Sequence, residues 1–155
     1  MRFLRPLLFF VCLSGILPAI RLSAQSTPSS SQPGDTDGRE VLANRYVHEI
    51  LPYWQRRLQL EQWNVSILLA RPADLRAGTL GNIHWDAEKR IATIRVMDAS
   101  GYPADLIPML KDMEVTVVHE LVHLELASLP VSEADRNNQE NAIDNLTAAL
   151  LESAR

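Results

Sequence analysis

The chain has 155 residues, 46% hydrophobic and 22% charged, with 15 basic against 19 acidic side chains and a net charge of −4. That length supports one domain with a real core and not two, and the acidic balance argues against a nucleic-acid backbone as partner. Its one cysteine, Cys12, cannot form an intrachain disulfide, so the fold must rest on its core and on any metal it binds.

The opening "MRFLRPLLFFVCLSGILPAIRLSAQS" reads as an export signal over residues 1–24. Arg2 and Arg5 precede an apolar run at residues 7–20, and Ala24 is a small residue suited to cleavage. The expected destination is secretion or the periplasm. An uncleaved segment would act as a membrane anchor, although the run is short for crossing a bilayer. Cleavage removes Arg2, Arg5 and Arg21, leaving 12 basic against 19 acidic residues, or −7. Residues 25–38, "QSTPSSSQPGDTDG", carry no apolar period and are expected to be a flexible linker, which leaves residues 39–155 as the folded domain.

Leu42, Tyr46, Ile50, Trp54 and Leu58 recur at helical spacing, predicting a first helix over about residues 40–60 that Pro52 should kink or split. "WNVSILLA" from Trp63 reads as a strand and "RPADLRAG" as a loop. "TLGNIHWD" and "RIATIRVMD" flank "AEKR" as a hairpin, with Ala92, Ile94 and Val96 on one side and Thr93 and Arg95 on the other. Three strands in one antiparallel sheet are expected. Asp105 and Pro108 open a second helix that stops before Pro130. Val115, Val117, Val118, Leu121, Val122, Leu124 and Leu126 leave it no broad polar face, so it should be central and buried, although its valines favour strand by propensity. Ser132 can cap a third helix with Asp135 in its first turn and Ile143, Leu146 and Leu150 as its packing stripe. The fold class is α+β: a small sheet packed on a central helix, with helices flanking it on the N- and C-terminal sides.

The chemistry concentrates in "HELVH" of that central helix. His119 and His123 stand four apart, so both imidazoles leave one face with Cβ atoms about 5–6 Å apart, a span that one zinc ion bridges. Glu120 lies about 100° round the helix, where it can flank a zinc-activated water as general base. A catalytic zinc site takes three protein ligands and leaves a fourth position open. Continuing past His123, Leu126 and Leu129 stand where a metzincin has Gly and His, so the third ligand must come from elsewhere. "ENAID" supplies Glu140 and, one turn later, Asp144 on one face of the third helix; one can ligate while the other holds the outer N–H of a ligating histidine. The plainer alternatives are two histidines hydrogen-bonded inside the core and two acids on a solvated helix flank. Glu133 and Asp135 suit a helix start, and Glu125 falls on the wrong face.

HELVH followed by ENAID resembles the gluzincin zinc metallopeptidases, the group of thermolysin, and especially its minimal single-domain members. The likeness covers the chain from about Trp63 onward. It implies His119, His123 and Glu140 as zinc ligands, Asp144 as the support of a histidine, and Glu120 as the catalytic base. It also implies an edge strand antiparallel to bound peptide, expected at Ile91–Met97, where Ile91, Thr93 and Arg95 would meet substrate. The histidine or tyrosine with which larger members stabilise the oxyanion has no match here, and there is no second helical domain. His84 could donate to a substrate carbonyl or simply pack; His48 has no motif around it; Arg95 could steer an acidic peptide or only protect a strand.

The expected function is therefore an exported zinc-dependent endopeptidase acting on peptide or protein, with no nucleic-acid partner. The alternative is a non-catalytic binding or structural protein that uses zinc as a staple.

Overall fold

The computed structural model describes residues 33–129 and 135–154; the expected export signal, the first part of the expected linker and the Ser132 cap lie outside them. Six elements carry the fold: α1 (Pro33–Arg57), β1 (Asn64–Ala70), β2 (Gly81–Asp86), β3 (Ile91–Met97), α2 (Leu106–Glu125) and α3 (Arg136–Ser153). No helix among the described residues is long and apolar enough to cross a membrane.

Helix α1 begins earlier than its apolar period suggested, since residues 33–38, expected as linker, are already helical. It also runs through Pro52 without splitting. Both Pro52 and His48, whose carbonyl loses its helical donor to the ring, are exposed, so water can serve the freed acceptor. The buried stripe is Ala43, Val47, Leu51 and Trp54. Leu42, Tyr46, Ile50 and Leu58, expected at its centre, form its half-buried flank.

The helix ends on Gln59, whose φ of 56° is left-handed. Leu60 N–H donates to Gln55 O at 2.8 Å and Gln59 N–H to Arg56 O at 3.1 Å, the two bonds that close a helix through such a residue. A side chain is strained at that φ. Gln59→Gly is therefore expected to raise stability by about 0.5–1 kcal/mol, seen as a melting temperature about 2–6 °C higher; a lower melting temperature would show that the Gln59 side chain contributes more than its strain.

The sheet has three strands as expected, in the order β1-β3-β2, but it is mixed. The β2–β3 hairpin is antiparallel, with Ile83 opposite Ile94, while β1 runs parallel to β3, with Ile67 beside Ile94. Residues 71–80 pass over the C-terminal end of β3, where Met97 N–H meets Leu80 O and Asp98 N–H meets Ala70 O, both at 2.8 Å. The hairpin turn is the expected "AEKR". Asp86 Oδ1 accepts from Lys89 N–H at 3.1 Å, and Arg90 closes the turn at φ 53°.

Ala92, Ile94 and Val96 face the core as expected, joined by Ile67 and flanked by Val65, Leu69 and Ile83. The opposite sheet face is bare, and there Ser66 and Thr93 hydroxyls meet at 3.2 Å. A one-sided sheet tolerates a charge such as Arg95 on its middle strand.

Helix α2 is central, packed by α1, α3, β2 and β3. Met109, Met113, Val117, Val118 and Leu121 are fully buried, which outweighs the strand propensity of the valines. One polar clasp joins it to α1: Glu114 accepts from Tyr46 Oη at 2.8 Å and from Trp54 Nε1 at 2.9 Å. Burial first, and this bond next, raise the Tyr46 pKa. In α3, with Asp135 as N-cap residue, Ile143 packs as expected but Leu146 is 47% exposed. Thr147, one turn past Ile143, takes the buried place instead.

Candidate metal centre

Helical spacing brings His119 and His123 to one face of α2, and α3 presents Glu140 and Asp144 to the same place. The two Nε2 atoms are 3.1 Å apart. Glu140 Oε2 lies 3.5 Å from His119 Nε2 and 3.4 Å from His123 Nε2. These three atoms form a nearly equilateral triangle. A four-coordinate divalent ion with nitrogen and oxygen bonds of about 2.0–2.2 Å needs ligand–ligand edges of about 3.3–3.6 Å, so the donor set fits such an ion with little adjustment. No other group of three or more His, Cys, Asp or Glu among the described residues converges in this way.

Asp144 Oδ1 stands 3.1 Å from His119 Nδ1. A proton on Nδ1, held by that carboxylate, leaves the Nε2 lone pair facing the triangle. Burial lowers the His123 pKa, against the opposing pull of Glu140, which favours the neutral ring that a metal requires. The two acids are unequally placed, Glu140 being 44% and Asp144 67% exposed.

Glu120 is only 7% exposed, and burial, followed by the charge of Glu140, pushes its carboxyl up to about 7. A cation between the ligands would oppose both effects. The residue borders a cleft of about 630 Å³ whose walls include His119, His123, Glu140, Asn137, Val115, Thr116, Gly81 and Asn82. The arrangement thus sets a carboxylate beside a three-donor metal position in a space open to a ligand.

The strand beside this cleft is β2, not β3. Because β3 is paired on both sides, its backbone has no free edge for a peptide, and Ile91, Thr93 and Arg95 lie on the sheet face turned away from α2. The expectation of an edge strand at Ile91–Met97 is corrected accordingly. Which strand ends in the middle depends on long-range pairing that local patterns do not encode. His84 shares that far face, opposite Thr93. His48 is exposed and bonded to Asn44 O, and Glu125 is exposed.

Two residues that sequence reasoning passed over shape the cleft. Asn82 has a buried Oδ1 without a hydrogen-bond partner. Gly81 is the point where β2 touches α2: a Cβ there would lie 2.5 Å from Thr116 Cγ2 and 2.6 Å from Arg95 O. Gly81→Ala is expected to destabilise the domain by about 1–3 kcal/mol, and a thermal melt unchanged from the parent would show that the strand yields freely. The glycine at the start of the strand is the sequence signal for such a close approach.

The chain matches no protein-family model, no curated protein and no solved structure, so the reading of this centre rests on its own geometry.

Proposed function

We propose that the protein is a zinc-dependent peptidase of the gluzincin kind, with His119, His123 and Glu140 holding the ion and Glu120 acting as general base. The supporting observation is the triangle of Nε2, Nε2 and Oε2 atoms, 3.1–3.5 Å on each edge, with the buried Glu120 beside it in one cleft. A structural site would surround its ion with four protein donors; three converge here among the described residues.

When bound, zinc supplies Lewis acidity to a water and to a substrate carbonyl. Glu120, buried beside the three donors in the same cleft, would act as the base that takes a proton from water and returns it to the leaving amine. Asp144 keeps His119 in the Nδ1–H form. Among the described residues the outer edge of β2 is unpaired and offers backbone groups to an extended peptide. Export follows from the N-terminal segment as the sequence reads.

The test is digestion of a peptide library by the zinc-reconstituted protein and by the chelated protein. Cleavage that requires zinc supports the proposal; tight zinc binding with no cleavage would favour the staple reading.

A further inference from the structure

Arg76 is the only lysine or arginine among the described residues that line the cleft; the acids lining it are Glu120 and Glu140. Among the described residues its guanidinium has no hydrogen bond or ion pair, although its backbone carbonyl holds Thr79 through N–H and hydroxyl at 3.0 and 2.8 Å. The position of Arg76 is therefore tied by its main chain while its charge is left free. Arg76 is exposed, so its unpaired charge at the cleft wall is open to a ligand.

The direction of β2 decides which part of a peptide meets it. Antiparallel pairing gives the stronger ladder, and a peptide added in that sense to the free edge of β2 runs from the Asp86 end to the Gly81 end. The C-terminal side of such a peptide lies by Gly81, with Leu80, Thr79 and Arg76 following in the same wall. Val115, 43% exposed, and Leu80, 42% exposed, offer apolar surface there.

We propose that Arg76 recognises a carboxylate on the C-terminal side of the bound peptide, either the chain terminus itself or an acidic side chain, so that the cleft prefers peptides carrying negative charge beyond the bond it contacts. This rests on the reading of the cleft as a peptide site.

The test measures binding, not turnover. The full chain carrying Glu120→Gln is loaded with zinc and titrated by fluorescence anisotropy with three labelled alanine–leucine pentapeptides: one with a free C-terminus, one amidated, and one amidated with glutamate in its C-terminal half. At least one acidic form should bind about fivefold or more tightly than the neutral amide, with a preference that shrinks as salt is raised. Arg76→Gln should abolish the preference, and Arg76→Lys should retain part of it. The stronger acidic form identifies which carboxylate is read. Equal affinity for all three forms, a preference that persists in Arg76→Gln, or no binding of any form overturns the proposal. Zinc-dependent cleavage by the parent without any charge preference leaves the peptidase standing and removes the anchor. An Arg76-dependent preference with no cleavage does the reverse.

Discussion

Glu140→Ala is expected to weaken zinc binding by more than about a hundredfold, while Asp144→Asn weakens it by about tenfold to a hundredfold. The ordering follows from position. Glu140 Oε2 completes the donor triangle at 3.4–3.5 Å from both imidazoles, so its loss leaves two ligands on adjacent turns. Asp144 touches only the far nitrogen of His119 at 3.1 Å, where it sets tautomer and basicity. Both side chains are substantially exposed, so neither change should unfold the metal-free protein. Competition with a chromophoric chelator gives the affinities, and a thermal melt of the apo forms checks the fold. Full zinc affinity in Glu140→Ala would remove the third ligand from the scheme and with it the role assigned to α3.

Glu120→Gln should lower kcat by about 10²–10⁴-fold and leave the zinc content unchanged. The glutamine keeps the shape of a side chain that is buried against the core but cannot accept a proton at neutral pH. Since Glu120 is not one of the three converging donors, the metal should stay. Hydrolysis retained at near-parental kcat would mean that another group moves the proton; loss of zinc would mean that Glu120 is a ligand and the assigned geometry is wrong. Zinc analysis and initial rates on the same preparation separate these outcomes.

Much of the site was legible because its parts are local. Four-residue spacing fixes two imidazoles on one helix face whatever the tertiary fold, and the same spacing joins Glu140 to Asp144. The meeting of the two helices was readable only through the need for a third ligand. The β2–β3 hairpin was legible from the turn residues between two alternating runs. Strand order was not: "NVSILLA", uncharged throughout, looks like a middle strand yet lies at an edge, while "IATIRVM", with Arg95 in it, is central. An outer sheet face open to water lets the charged run occupy the middle. Phase in α1 was missed by one residue because Tyr46 and Ile50 are apolar enough to suggest the stripe centre, whereas the smaller Ala43 and Val47 are the fully buried ones. Contacts such as Glu114 with Tyr46 and Trp54 span 68 and 60 residues of chain and left no local trace.

That carboxylate has a consequence for how metal and scaffold relate. It fastens the helix to α1 at a point five residues before His119, with two donors that need no ion. The helical turn bearing the imidazoles is thereby held by protein contacts, and an ion bound as proposed would arrive at a rack already standing. Loading and unloading would then be exchange reactions on a folded body, with supply of the ion, not survival of the fold, setting how many molecules are competent at a given moment.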